Sequence, residues 1–216
     1  MTKAVIFDLD GTLLNTLGDL TAATNHALTA CGFPRRTEAE VRTYVGDGVK
    51  ELMLRACPPG TDGETRQQAL EAYLPYYAAH NCDITAPYDG VLDLLEALRA
   101  AGYRVAVVSN KHNAGAQALC ARFFDGYLDL AVGADGTRPL KPAPDNLLYA
   151  MAQLGVTPEN VWYVGDSVQD VMTAHAAGVK VAAVTWGFQD ADRLTAENPT
   201  VLVDTVARLK SVILGE

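Results

Sequence analysis

The sequence predicts an α/β protein: a Rossmann-like, mostly parallel sheet covered by helices on both faces, interrupted near its start by an inserted all-helical domain. Three observations predict this. From about residue 88 onward, short apolar runs rich in β-formers alternate with amphipathic helical segments, the pattern of βα units. A strand-like run, Ala4–Phe7, stands apart at the N-terminus, and the stretch after it is helical throughout. Polar clusters fall just after the apolar runs, where open α/β sheets bind ligands. The expected domains are residues 1–15 with 86–216 for the sheet, and 16–85 for the helical insert.

Ala4, Val5, Ile6 and Phe7 read as a strand buried on both faces. Asp8 and Asp10 follow, one residue apart, so an extended chain points both the same way. Gly11 lets the chain turn beside them. Two like charges that close repel unless a cation lies between them or one is protonated. The plain alternative is a turn with Asp as turn-former; the further acids at 166 and 170 weigh against it.

In the insert, Leu17, Leu20, Ala23, Ala27 and Leu28 give one apolar helix face, stopped by Gly32. Thr37 and Glu40 have capping-box spacing at the start of a second helix. Val49, Leu52, Met53 and Ala56 mark a third. A fourth runs from about Asp62 to His80, with a kink or break expected at Pro75. Linkers are expected near 15–17 and 81–88.

After Pro87 come a helix over 89–101, a strand over 104–108 ending in Ser109-Asn110-Lys111, a helix over 113–122 and a strand over 127–132 weakened by Asp129. A helix over 144–154, a strand over 161–164 ending in Gly165-Asp166-Ser167, and a helix over 168–177 follow. A strand over 180–185, helices over 191–197 and 204–214 and a short strand over 201–203 complete the chain. The clusters Asp8/Asp10, Ser109/Asn110 and Asp166/Ser167/Asp170 can thus converge on one crevice. Lys141 lies in RPLKPAPD, where prolines on both sides stiffen the backbone and favour a fixed charge.

Composition bounds the partners. The net charge is −9 and the isoelectric point near 4.9, which argues against a broad nucleic-acid or anionic-membrane surface. No apolar stretch reaches the roughly 18 residues of a membrane span, and no signal peptide precedes the first strand. Cys31, Cys57, Cys82 and Cys120 form no CxxC pair, so they read as reduced thiols in a cytoplasmic protein.

Four segments, in order, carry a resemblance. FDLDGTLLN, VVSNK, Lys141-Pro142 and GDSVQD are similar to the four motifs of the haloacid dehalogenase-like (HAD) hydrolase superfamily, and the helical insert resembles its helical cap. Residues 44–56, YVGDGVKELMLRA, and the SNK form of the second motif look most like phosphoglycolate phosphatases. One departure is Asn15, where many cap-bearing relatives have Asp; Asn caps a helix about as well.

The resemblance implies roles. Asp8 is the nucleophile, forming an aspartyl-phosphate, and Asp10 the general acid and then base. Mg²⁺ is held by the Asp8 carboxylate, the Asp10 main-chain carbonyl and Asp166. Ser109, the Asn110 amide, Lys141 and the Gly11 and Thr12 amides hold the phosphate. Asp170 fixes Lys141 or a metal-bound water, and Ser167 supports the site. Lys111 and His112 follow the second motif and face either the substrate or solvent. Gly46 and Gly48 flank Asp47 in a turn that reads the substrate or merely joins two helices. Trp186-Gly187 edges the crevice or packs beside it.

Asp10 narrows the implied reaction to phosphoryl transfer with an oxygen leaving group. The expected function is a Mg²⁺-dependent phosphatase on a small phosphorylated metabolite, 2-phosphoglycolate first, working as a monomer or homodimer. A β-phosphoglucomutase-like sugar phosphomutase and a pyrophosphatase are the alternatives. A phospho-accepting signalling domain has no reason for Asp10 plus a cap, and a scaffold that lost catalysis has no reason to keep every motif residue.

Overall fold

The structure is a computed structural model that describes residues 2–215. In chain order its elements are β1 (Ala4–Phe7), β2 (Leu14–Asn15), α1 (Leu17–Ala30), α2 (Glu38–Tyr44), α3 (Val49–Ala56), α4 (Gly63–His80), β3 (Ala86–Pro87), α5 (Val91–Ala100), β4 (Arg104–His112), α6 (Asn113–Phe124), β5 (Leu130–Ala134), α7 (Asp145–Leu154), β6 (Val161–Gly165), α8 (Val168–Ala177), β7 (Lys180–Val184), α9 (Ala191–Ala196), β8 (Val201–Val203) and α10 (Val206–Leu214).

Six strands form one parallel sheet in the order β5-β4-β1-β6-β7-β8, and β2 pairs antiparallel with β3 in a separate ribbon. The four residues of β1 are fully buried, as a continuous apolar run between two neighbours requires. Phe7 is level with Val107 of β4 on one side and Val164 of β6 on the other. From β1 the chain builds outward through β4 and β5, then returns to place β6 beside β1, so the strand order reverses there. Ligand crevices form at such points, beyond the carboxyl ends of the strands.

Alternation sorts the strand side chains. Val5, Phe7, Val105 and Val107 pack with Leu94, Leu95, Leu98, Leu119 and Leu209 of α5, α6 and α10. Ala4, Ile6, Ala106 and Val108 pack with Leu147, Met151, Val171 and Leu194 of α7, α8 and α9. Helices α1–α4 surround a third apolar cluster, with Leu20, Leu28, Val41, Met53, Leu70 and Tyr73, which Phe188 joins from beyond β7. This arrangement is the α/β fold that the pattern of elements predicts.

Several details differ from expectation. The fourth insert helix runs unbroken through Pro75. Strand β4 continues past Val108 to His112, with a register shift against β5 in that stretch. Gly133 permits it, since a side chain there would run into the backbone of Lys111 and Asn113. Strand β5 starts at Leu130 rather than 127, because Asp129 is bound outside it: its carboxylate accepts from Val105 N at 2.8 Å and pairs with Arg104 and Arg99. The Thr37–Glu40 capping box is formed. Asn15 Oδ1 accepts from Leu17 N at 3.3 Å, so the amide serves the first turn of α1.

The insert is tied back by one buried acid. Asp19 in α1 accepts from Ile84 N, Thr85 N and Thr85 Oγ1, the last at 2.7 Å, which fixes the segment returning to β3.

Candidate active site

Each strand around the switch point delivers one group. The Asp8 amide donates to Val164 O at 2.8 Å, which holds the end of β1 against β6 and leaves the Asp8 carboxylate just beyond the sheet. Ser109 and Asn110 stand within β4, and Asp166 follows β6 directly. Ser109 is therefore a strand residue; its Oγ accepts from Lys111 N.

Asp8, Asp166 and Asp170 are all buried and each can bring an oxygen within 4.8 Å of the others. The ammonium facing them belongs to Lys141, itself 4% exposed. Its Nζ lies 2.6 Å from Asp170 Oδ1 and 2.9 Å from Asp8 Oδ1. The first contact is a well-directed hydrogen bond; the second has the distance of an ion pair without the angle, so Asp8 Oδ1 keeps no directed partner.

Asp170 is fully committed. Besides Lys141 it accepts from Tyr163 OH at 3.1 Å and from Ser167 N and Oγ, so it also closes the capping box that starts α8. Asp166 accepts from Thr12 Oγ1 at 2.9 Å and Phe188 N at 2.7 Å, one donor per oxygen. Those bonds fix its plane and leave lone pairs free. Gly11 and Gly187 make room for it: a side chain at either position would overlap the Asp166 carboxylate.

The charge count is unbalanced. Burial, reinforced by the charges of Asp170 and Asp8, raises the Asp166 carboxyl to about 8. Burial also raises Asp8, to about 6, against the pull of Lys141. Burial opposes the Lys141 charge, yet Asp170 and Asp8 hold its ammonium well above the usual lysine range. Three clustered buried carboxylates, of which Asp8 and Asp170 face one ammonium, form an all-oxygen donor set that a divalent cation fits, and the undirected Asp8 oxygen supports the fit. With Asp170 engaged, Asp8 and Asp166 are the carboxylates free to hold the ion.

Asp10 points elsewhere. Both its oxygens lie 3.0 Å from Lys111 Nζ, and Lys111 donates on to Tyr77 OH of α4 at 2.6 Å. The Asp10 carboxylate thus stands outside the cluster of Asp8, Asp166 and Asp170, and Lys111, expected at the phosphate or in solvent, is paired with an acid. The Gly11 and Thr12 amides, expected to bind phosphate, turn inward instead, to Leu14 O at 2.8 Å and Leu9 O at 3.3 Å. The Asn110 side chain locks the Lys141 loop, accepting from Lys141 N at 2.8 Å and donating to Lys141 O at 3.2 Å, and reaches Gly46 O at 3.0 Å.

Gly46 and Gly48 both have positive φ, and their turn meets the sheet domain at Asn110. Between them Asp47 accepts from Gln169 Nε2 at 2.7 Å and pairs with Arg55. Trp186 packs, donating from Nε1 to Thr12 O. His112, exposed, lies on the wall of the cavity of about 480 Å³ that separates the helical insert from the acids.

Sequence reasoning missed four contributors: Tyr163, Tyr77, Arg42 and Phe188. Arg42 of α2 donates to Phe188 O at 2.6 Å and Gly187 O at 3.3 Å. The available signals were weak, since Tyr163 and Tyr77 read as strand and helix core, and the others touch partners far along the chain.

A fold with its acids at the switch point of a parallel sheet, under a helical insert, defines a class, and the comparisons agree. Residues 5–184 match the family model of the haloacid dehalogenase-like hydrolases, and the chain belongs to that family. Within it the chain is of the phosphoglycolate phosphatase-like group. It is 34% identical to a phosphoglycolate phosphatase of Haemophilus influenzae, covering 98% of both chains. It is also 34% identical to phosphoglycolate phosphatase 1 of Pseudomonas aeruginosa, over 97% of this chain and 79% of that one. A crystal structure of an inferred phosphoglycolate phosphatase from Lactobacillus delbrueckii superposes with a TM-score of 0.94 at 36% identity, covering both chains completely.

Proposed function

We propose that this phosphoric monoester hydrolase is a Mg²⁺-dependent phosphatase that works through an aspartyl-phosphate on Asp8. The observation that carries the reading is the Asp8 carboxylate: buried, open to the cavity, flanked by Lys141 and left with an oxygen that has no directed hydrogen bond. Such an oxygen can attack phosphorus.

Mg²⁺, held by Asp8 and Asp166, offsets the repulsion between the nucleophile and a phosphate dianion when bound. The rest follows from the chain's own residues. Lys141 sits beside Asp8 and neutralises charge on the transferring phosphoryl group. Asp170 and Tyr163 keep its ammonium in place. Asp10, two residues from Asp8, protonates the leaving oxygen and then takes a proton from the attacking water. Lys111 orients the Asp10 carboxylate through both oxygens and links it to α4. The helical insert covers the cavity and limits water at the phosphorylated Asp8.

The substrate is a small organic phosphate monoester. The names of the relatives bring 2-phosphoglycolate here as the leading ester. Among the described residues no helix is long and apolar enough to cross a membrane. With four free cysteines, the cytoplasm is the proposed setting.

The test is phosphate release from 2-phosphoglycolate, pyrophosphate and several sugar phosphates, with Mg²⁺ and with chelator, for the wild type and Asp8→Asn. Mg²⁺-dependent release that Asp8→Asn abolishes is expected. Undiminished release by Asp8→Asn overturns the mechanism.

A further inference from the structure

Among the described residues, Lys111 is the one lysine or arginine on the cavity wall. Its side chain is 7% exposed and is fixed from two sides. Asp10 accepts from its Nζ through both oxygens at 3.0 Å. Tyr77 of α4 accepts through its hydroxyl at 2.6 Å and lays its ring 4.6 Å from the ammonium. A lysine ammonium has three N–H donors and no acceptor. With Tyr77 taking one, Asp10 is the acceptor left for the others.

Seating an ester changes that count. In the phosphatase reading phosphorus lies at Asp8 and the leaving oxygen at Asp10. An Asp10 oxygen that turns to the leaving oxygen no longer accepts from Lys111, so an N–H of a nearly buried ammonium loses its partner beside the substrate. A donor left unpaired there is unfavourable. The atoms next to it are those of the leaving group. Nζ stands one hydrogen-bond length from the carboxylate that meets the ester oxygen, so it reaches a substituent on the first carbon beyond that oxygen. The other polar groups on α4's side of the cavity, Tyr77 and Asn81 one helical turn further on, carry no charge.

We propose that Lys111 is the specificity-determining residue for the leaving group: it exchanges one oxygen of Asp10 for an anionic oxygen on the carbon next to the ester carbon, so that a short phosphorylated hydroxy acid is selected over an uncharged ester of the same size. The inference rests on the phosphatase reading and deepens it to the recognition of the second charge. Lys111 remains a donor throughout, and no covalent bond to it forms or breaks. Tyr77 keeps the ammonium in reach while Asp10 turns. A charge-assisted hydrogen bond is about twice as strong as a neutral one, and a site built to make it rejects the analogue that lacks the group.

The experiment measures kcat/KM for 2-phosphoglycolate and for phosphoglycolamide, its uncharged amide of nearly equal size, at fixed Mg²⁺. The wild type is expected to prefer the acid by roughly tenfold or more. Lys111→Met and Lys111→Gln are expected to lose that preference, and His112→Ala, at the exposed neighbouring position, to keep it. Both esters use the same Asp10, so misalignment of Asp10 or loss of folded protein cancels in the ratio of the two. Equal falls for both esters in the Lys111 variants overturn the inference and leave Lys111 as a positioning residue for Asp10. No preference in the wild type, or a preference lost only in His112→Ala, overturns it as well; in all three cases the phosphatase reading stands. Release from sugar phosphates but from neither of these esters overturns the exchange alone, and release from no ester overturns both.

Discussion

Lys141→Met removes the ammonium that Asp8 and Asp170 share, and its cost follows from the geometry. The Lys141 side chain is 2% exposed, and its partners Asp170 and Asp8 are 0% and 11% exposed at their side chains. Methionine keeps the aliphatic volume, so the change is chiefly one of charge. Breaking a buried ion pair by removing one partner costs about 3–5 kcal/mol, because the other charge stays buried. Asp170 cannot swing to solvent, since Ser167 and Tyr163 hold it as well. In a chain of this size about 3–5 kcal/mol corresponds to roughly 6–20 °C in the melting temperature. Urea unfolding in chelator measures it, for Lys141→Met, Asp170→Asn and the double variant. The double variant is expected to lose less than the sum of the singles by about 1–2 kcal/mol, the coupling typical of groups in one network. Mg²⁺ should recover part of the Lys141→Met loss by restoring positive charge beside Asp8. A loss below about 1 kcal/mol for Lys141→Met, or strict additivity, would refute the shared-charge reasoning.

Four further outcomes follow from the same structure. In chelator, stability should fall as pH rises from about 4 to about 8: with Asp8 raised to about 6 and Asp166 to about 8, the folded state binds more protons than the unfolded one over that range, so the slope is negative. Saturating Mg²⁺ should flatten it, and equal slopes with and without Mg²⁺ in a denaturation series would contradict the ion site. Gly187→Ala places a methyl against the Asp166 carboxylate and Gly11 O, so a destabilisation of about 1–3 kcal/mol and weaker Mg²⁺ dependence are expected from unfolding and activity titrations. Asp19→Ala leaves Ile84 N and the Thr85 amide and hydroxyl without their acceptor, a cost of about 2–3 kcal/mol measurable by urea unfolding. Arg42→Ala should lower kcat and raise the Mg²⁺ concentration for half-maximal activity while changing the melting temperature by only a few degrees, which steady-state kinetics and a melting curve report together.

What the sequence made legible is what short-range pattern controls. Ala4–Phe7 could be placed because a short apolar run rich in β-formers, ended by Asp8 and the Gly11 turn, reads as a strand covered on both faces. Asp8 and Asp166 could be placed because an acid just beyond such a run has one end of the sheet to occupy. The Lys141–Asp170 pair was within reach through the resemblance, which implies that Asp170 fixes Lys141 or a metal-bound water. Contacts between distant segments were not legible. Nothing local in Lys111 distinguishes a solvated loop lysine from one clamped to Asp10, and that choice depends on β4 running four residues past Val108. The Gly11 and Thr12 amides read as free donors because the turn that consumes them, back to Leu14 and Leu9, closes only in three dimensions.

The segment after β7 shows why those long-range contacts matter. Phe188 is a single residue with three attachments: its amide fixes an oxygen of Asp166, its carbonyl accepts from Arg42 of α2, and its ring sits in the apolar cluster of the helical insert. Gly187 beside it packs against Asp166 and Gly11 because it lacks a side chain. Moving the insert therefore pulls on the same peptide that orients Asp166. On the opposite side of the cavity, Tyr77 of α4 holds Lys111, which holds Asp10. Two contacts of the insert thus end on two different acids of the site, Asp10, beside Asp8 in sequence, and Asp166, beside it in space. An insert that only shielded the cavity would need neither. Their presence ties the position of the insert helices to the setting of the Asp10 and Asp166 carboxylates.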